Sequence, residues 1–530
     1  MTGPSARNIA DLLTRTATRF GTRPALVTDD RTITWAELEQ IVDAVAAGLQ
    51  GHGLAEGDRV VIVLPTSVEF VTAYLGVLRA GGVAVPLNTS YTAGELARLV
   101  GRTGASMVVA GHPSTATVRQ AVAGIADALT DAPDDLADRQ VPIVVVTGPP
   151  LPGEVGYASL TEGAQTPRPQ ERGGEDVAVM LFTSGSSSDP RAAMLSHRAL
   201  VSNLDQLMAL DPPPLSEQDV LLGVLPLFHV YGLNTVLGQA LATGASVVVV
   251  DRFDPVATLE TIVRHGVTIV PVAPPMLVAW TEVEGLAEAV AGVRYFVSGA
   301  APLALSVIEQ VTEATGVTIH QGYGLTEAAP VVTTTFASAD PKPGSVGRPL
   351  PGTEVMLVDE GGAPVDEGDP GEVVVRGPNL FSGYWPGDVD GPDDQGWWRT
   401  GDVAYADVDG DLHLVDRIKD IVIVNGFNVY PREVEEVLLE HPAIAAAAVV
   451  GVADRRTGEA VKAVVVAAEG HSLTPDVVAE HCAANLARFK RPEIIEVVDE
   501  IPRTATGKIA KGRLRDAASR EADKKLAGLR

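Results

Sequence analysis

The chain holds one cysteine, Cys482, in 530 residues. A single thiol excludes an internal disulfide framework and any multi-cysteine metal site, which leaves Cys482 the role of a small buried apolar side chain. Basic residues are scarce as well: 40 Lys and Arg stand against 68 Asp and Glu, a formal net charge of -28. That balance argues against nucleic acid as a partner, because a phosphate backbone calls for a basic surface. The first residues (MTGPSARNIADLL) lack a basic stretch followed by an apolar one, so no signal peptide is expected. Long apolar runs are missing too. Stretches such as Ser246 to Val250 are short and bounded by glycine or charge, far below a membrane span. A cytoplasmic protein without an integral membrane segment is the expectation. No internal repeat with a period of about 20–50 residues is present.

What is present suits a folded, loop-rich α/β protein of more than one domain: 46% hydrophobic residues, 20% charged, 53 Gly and 37 Pro. The acidic excess is uneven. Ile421 to Arg530 holds 16 Lys and Arg against 16 Asp and Glu, so the whole deficit belongs to the first 420 residues. Two regions of different electrostatic character follow, although much of the acidic surface need do no more than keep a large domain soluble.

Thr34 and Glu37 form a capping-box pattern ahead of Leu38, Ile41, Val42, Val45 and Leu49, which share one helical face. Val60 to Leu64 reads as a buried parallel strand, Val68 to Leu78 as a helix, and Val83 to Leu87 and Met107 to Ala110 as further strands. Such alternation predicts mostly parallel sheets flanked by helices. Pro149 to Asp176, rich in Pro, Gly, Glu and Gln, reads as an exposed, mobile connection. Alternation resumes through Val247 to Val250, Thr268 to Pro271 and Tyr295 to Val297. From Gly344 to Leu414 short strands and Gly-rich turns predict a β-rich subdomain. Beyond a composition break at Asp416 to Asp420, a helix is expected over Pro431 to Leu439 and strands over Ala445 to Val452 and Val461 to Ala467. Leu473 to Leu486 should be mainly helical.

Leu181 to Pro190 (LFTSGSSSDP) sets a Ser/Thr/Gly-rich loop directly after an apolar strand, a loop that can surround phosphate with N–H groups and hydroxyls. No Gly-Lys pair closes it, so it is not the common nucleotide-triphosphatase loop. Alone it could be a plain turn. It is joined by QGYGLTE (321–327), RTGD (399–402), DRIKD (416–420), NGFNVYP (425–431) and PRTATGK (502–508). In this order and spacing the motifs resemble the adenylate-forming superfamily of acyl-CoA synthetases, luciferases and peptide-synthetase adenylation domains, over nearly the whole chain. PLFHVYG (226–232) and GFNVYP bring it nearest to fatty acyl-CoA or acyl-carrier-protein ligases.

The resemblance implies a large N-terminal domain (1–415), a hinge (416–420) centred on Lys419, and a small mobile α+β C-terminal domain (421–530). It implies ATP and Mg2+, with Thr183, Ser184, Gly185, Ser186, Ser187 and Arg191 around the triphosphate, Thr326 on phosphate and Glu327 on the metal. Asp402 would accept from the ribose hydroxyls with Arg417 nearby. Gly299, Ala300, Ala301, Tyr323 and Gly324 would flank adenine, and Lys508 would bring a mobile positive charge to the α-phosphate. His229, Val230, Tyr231, Gly232 and Met276 would line the acyl pocket, and Gly426 and Phe427 a thiol tunnel. Each residue taken singly has a plainer role: Glu327 a helix-cap residue, Lys508 an exposed lysine, Asp402 a turn residue, Arg417 a surface ion pair, His229 a packed core histidine. The loop also departs from the family pattern of Gly, any residue, Pro-Lys-Gly; here it reads Ser188-Asp-Pro-Arg-Ala192.

The expected chemistry is activation of a small-molecule carboxylic acid to an acyl-adenylate, followed by transfer to a phosphopantetheine thiol. A medium- or long-chain fatty acid fits the uncharged residues of the pocket; an aryl acid is the second choice, through Phe228 and Tyr231. Two acceptors stay open, CoA and an acyl carrier protein. A third alternative is a catalytically impaired sensor of acyl groups or nucleotide.

Overall fold

The computed structural model describes residues 8–130, 141–162, 166–168, 170, 172–183, 191–387, 390–424, 427–454, 458–503 and 508–515. The fold is α/β, with parallel sheets and flanking helices in the larger part and a smaller α+β part at the C-terminal end. The helix Trp35–Gly51 starts at the capping box: the Thr34 hydroxyl accepts from Glu37 N and Glu37 Oε2 from Thr34 N. Its Leu38, Val42, Val45 and Leu49 are fully buried against the helix Val68–Arg79 and neighbouring core.

Chain contacts divide the protein into two units. The first, most of residues 1–398, carries two large sheets. In one, the strands Val177–Phe182, Val83–Pro86, Arg59–Val63, Met107–Ala110, Ile143–Val146 and Val155–Gly156 run parallel. Apart from the half-buried edge strand Val155–Gly156, they are mostly buried on both faces, which is why they read as near-continuous apolar runs. At one edge the direction reverses: Ala192–Ser196 and then Tyr384–Trp385 are antiparallel additions. The other sheet is parallel through Thr318–Gly324, Tyr295–Ser298, Ile269–Val272, Val220–Gly223, Ser246–Val249 and Pro24–Val27. It reverses where Val331–Thr334 folds back along Thr318–Gly324.

Pro149 to Asp176 is exposed over much of its described length, as expected, but it is anchored at one stretch. Val155–Gly156 pairs with Ile143–Val146, and Tyr157 and Leu160 are buried, the Tyr157 hydroxyl sharing a 2.7 Å hydrogen bond with that of Thr72. The polar composition concealed two apolar anchors that bind the segment to the core.

The second unit takes in Gly344–Val346, Val355–Val375 and Arg399–Arg530. It includes most of a sheet built from Glu354–Val358, Gly371–Arg376, Trp397–Ala406 and Leu412–Arg417. It also holds the C-terminal α+β layer, where Pro431–Leu439 and Pro475–Asn485 cover Ile444–Asp454 and Gly458–Ala467. Cys482 is fully buried there among Val434, Leu438 and Val478. The segment 416–420 lies inside this unit, for a local reason. Asp416 Oδ2 accepts from Arg432 N at 2.8 Å, and the Arg432 guanidinium donates to Leu414 O at 2.8 Å, which ties the helix Pro431–Leu439 to the strand Leu412–Arg417.

Candidate active site

In the first unit, Phe182 and Ala192 are opposed on antiparallel strands, and Thr183 N donates to Arg191 O at 3.3 Å, closing the base of the Ser/Thr/Gly loop. Ser184, Gly185, Ser186 and Ser187 lie outside the described residues. Arg191 leaves the loop with its guanidinium 2.8 Å from Asp390 and 4.4 Å above the centroid of the Tyr384 ring. Tyr384 stands opposite Ala193 on the reversed edge, and its hydroxyl donates to Glu327 Oε1 at 2.5 Å. Burial, and then the Glu327 charge, hold that phenol well above its ordinary pKa, so it remains a donor.

Glu327 sits with Thr326 on the 3-10 turn Thr326–Ala328, just past Thr318–Gly324, and its backbone carbonyl accepts from Phe381 N at 2.8 Å. Both side chains are partly exposed. No group of three or more His, Cys, Asp or Glu able to hold a metal occurs among the described residues. One accessible carboxylate, with no cage of further ligands among the described residues, fits Mg2+, which keeps several waters and is bound by one or two carboxylates together with substrate phosphates.

On the strand next to Thr318–Gly324, Ser298 opposes Gln321. The Ser298 hydroxyl is buried and has no partner among the described residues, and Ala300, two residues on, takes a left-handed φ of 71°. A non-glycine residue held there costs on the order of 1 kcal/mol, and such strain gathers at functional sites. Ala301 is half-buried, and Tyr323 is buried on a strand residue opposite Thr333. Gly324 cannot carry a side chain: a Cβ would lie 2.1 Å from Pro330 O.

Tyr231 opens the π-helical turn Tyr231–Gly238 and donates from its hydroxyl to Val297 O at 2.7 Å. Its ring lies against Gly299, where a Cβ would be 3.3 Å from two ring carbons. The structure therefore brings together Tyr231 and the Gly299 backbone, two residues assigned to different subsites. Val230 and Met276 belong to the buried core, Gly232 is buried too, and His229 is half-buried with its ring 5.0 Å from that of Phe228.

In the second unit, Asp402 and Arg417 are direct cross-strand partners, Arg417 Nε lying 2.8 Å from Asp402 Oδ1. Asp402 is 6% exposed, while Arg417 is open to solvent. Lys419 lies on the 3-10 turn Ile418–Asp420, and its carbonyl accepts from Arg515. Phe427 is 57% exposed, with its ring 5.0 Å from that of Phe489; Gly426 lies outside the described residues. Lys508 is exposed, one residue before the bridge that Ile509 makes with Arg503.

Tyr384, Asp390 and Trp398 were not among the expected site residues. For the two aromatic ones a faint compositional signal exists: Phe381, Tyr384, Trp385, Trp397 and Trp398 fall within a short stretch of a chain that is only 5% aromatic; for Asp390 there is none.

Residues 13–385 match the family described as AMP-binding enzyme, and 433–508 match the AMP-binding enzyme C-terminal domain. The chain belongs to the AMP-binding enzyme family. The resemblance to adenylate-forming enzymes and the α/β fold class hold accordingly. Among relatives of this family, a long-chain-fatty-acid–CoA ligase of Escherichia coli O157:H7 is 33% identical, with 98% of this chain and 96% of that protein covered. 4-Coumarate–CoA ligase 5 of Oryza sativa subsp. japonica is 34% identical over 91% of this chain and 89% of its own. ATP-bound MatB from Rhodopseudomonas palustris superposes with a TM-score of 0.87 at 33% identity, over 96% of this chain and 99% of that one.

Proposed function

We propose that this AMP-binding enzyme is an acid–thiol ligase that joins a fatty acid of medium or long chain to CoA by way of an acyl-adenylate. A carboxylate is a poor electrophile until its oxygen becomes part of a good leaving group. One carboxylate oxygen attacks the α-phosphorus of ATP, the bond to pyrophosphate breaks, and pyrophosphate departs with the electron pair. The CoA thiol, losing its proton, then attacks the acyl carbon and expels AMP.

Both partners of the first step are anions, so preplaced positive charge and donors decide its rate. Thr183 and the loop residues 184–187 are assigned to the triphosphate, with Arg191 at the foot of their loop, and Thr326 to a phosphate oxygen. Glu327, joined by nucleotide phosphate, would hold Mg2+, which supplies charge neutralisation on the phosphates. Asp402 accepts from the ribose hydroxyls, with Arg417 fixing the carboxylate at 2.8 Å. Ser298, Gly299, Ala300, Ala301 and Tyr323 flank adenine. Lys508 supplies charge at the α-phosphate, and rotation of residues 421–530 about Lys419 exchanges it for the tunnel at Gly426 and Phe427.

The observation that carries this assignment is the Glu327 carboxylate, joined through Tyr384 to Arg191 at the base of the Ser/Thr/Gly loop. The acyl preference draws on Tyr231: its hydroxyl is already satisfied by Val297 O, so it offers the pocket an apolar ring. No helix among the described residues is long and apolar enough to cross a membrane; a cytoplasmic site of action, where ATP and CoA are at hand, belongs to the same proposal. Thioester formation, followed by mass spectrometry with saturated acids of graded length and a planar aryl acid, tests it. The acceptors are CoA and a phosphopantetheine-loaded carrier protein. The highest kcat/KM should fall on a saturated acid with CoA; a maximum with the aryl acid, or with the carrier protein, rejects that part of the assignment.

A further inference from the structure

Resting on the adenylate-forming assignment above, we propose that Tyr384 is a positioning residue for Glu327. We further propose that Arg191, which stands where the family loop carries lysine, acts by holding Tyr384 in place. The first half stands on one contact and its surroundings. The Tyr384 hydroxyl donates to Glu327 Oε1 at 2.5 Å, and a carboxylate can only accept, so the direction of the bond is fixed. Glu327 has little else to orient it. It sits on a three-residue turn, partly exposed, and no other hydrogen bond to its carboxylate is seen among the described residues. A flexible carboxylate that must meet a cation at a set distance gains from a donor that is itself immobile.

Tyr384 is immobile. Its backbone is paired with Ala193. Phe381 and Trp398 meet its ring edge-on, with centroids at 5.0 and 6.1 Å. The guanidinium of Arg191 covers a ring face at 4.4 Å while reaching Asp390 at 2.8 Å. A planar guanidinium can stack on a ring and fork to a carboxylate at once; an ammonium is a compact point charge and cannot keep both contacts with the same geometry. The departure of the loop from Lys to Arg therefore has a physical reason within this chain. Among the described residues, Glu327 Oε2 accepts no hydrogen bond and is left for the cation.

The test is calorimetric titration of a non-hydrolysable ATP analogue into the full-length enzyme, once with Mg2+ and once with EDTA, for the parent, Tyr384→Phe and Arg191→Lys. Tyr384→Phe keeps the ring and its neighbours and removes only the donor. Its affinity with Mg2+ should fall roughly tenfold, the loss of a hydrogen bond to a charged group, while affinity in EDTA stays at the parental value. The Mg2+ concentration for half-maximal pyrophosphate exchange should rise by a similar factor, more than turnover at saturating Mg2+ declines. Arg191→Lys should show a smaller loss, about threefold, confined to the same metal-dependent part. Equal affinities of Tyr384→Phe and parent with Mg2+, or equal losses with Mg2+ and EDTA, overturn the role of Tyr384. A loss in EDTA for Arg191→Lys shows direct phosphate contact and overturns the role of Arg191. If the parent itself binds the analogue no better with Mg2+, the adenylate-forming assignment of Glu327 fails, and this proposal with it.

Discussion

Acidifying the protein from pH 7.5 to 5.0 should destabilise its first unit by on the order of 2 kcal/mol through His197 alone. His197 begins the helix His197–Met208 and is 0% exposed. Its Nδ1 accepts from Ile9 N at 3.3 Å, and its Nε2 is buried without a partner among the described residues. Burial, and then the charge of Arg172, push its pKa from 6.5 down to about 4; Asp176 opposes this in part. Near pH 7.5 the imidazole is neutral whether the chain is folded or not. As the pH falls past 6.5 the unfolded chain takes up a proton that the folded one refuses until about 4. The folded state thus loses stability across that window, about 3 kcal/mol in full and about 2 by pH 5. His197→Asn keeps an acceptor for Ile9 and cannot be protonated there. Urea unfolding of parent and variant at both pH values isolates the effect, since His320, also lowered to about 4 by burial, is present in both proteins. The parent should lose about 2 kcal/mol more than the variant; equal losses would refute the argument.

Lys508→Ala should slow adenylate formation by about 10²–10³-fold and leave thioester formation from supplied acyl-adenylate much less affected, as single-turnover kinetics of each half-reaction would report. Asp402→Ala should weaken ATP binding by about 1.5–3 kcal/mol per ribose hydrogen bond lost. Arg417 is exposed enough to be rehydrated, so the thermal midpoint should move little; calorimetry with unchanged ATP affinity would make Asp402 a turn residue. Lys419→Pro fixes φ near roughly −65° at the expected pivot, and should let adenylate accumulate while transfer to CoA stalls. Parental transfer rates in that variant would dismiss rotation at this position, and loss of both steps with a lowered melting temperature would indicate misfolding at the junction.

Local signals were legible where the physics is local. The capping box at Thr34 and Glu37, the run Met107–Ala110 and the proline-led helix Pro431–Leu439 all form where the sequence alone puts them. Long-range pairing was not legible. Tyr384–Trp385 is a strand of two residues whose partner lies near Ala193, and no periodicity in so short a piece announces that pairing. For the same reason the motifs pointed to Glu327 and Arg191 separately, and the tyrosine that joins them emerged only from the fold. Tyr157 and Leu160 were hidden by the polar residues around them, because composition averages over a segment while burial is decided side chain by side chain. The tie between Asp416 and Arg432 runs from a carboxylate to a backbone N–H 16 residues along the chain, which hydrophobic pattern does not encode.

The central claim, that ATP is cleaved by a carboxylate at the α-phosphorus, is tested most directly by exchange of labelled pyrophosphate into ATP with no thiol present. The account predicts label in ATP only when a carboxylic acid is supplied, with saturated acids supporting it, and no requirement for CoA. Acid-dependent release of ADP and inorganic phosphate, or no acid-dependent exchange with any acid across the graded series, would contradict it.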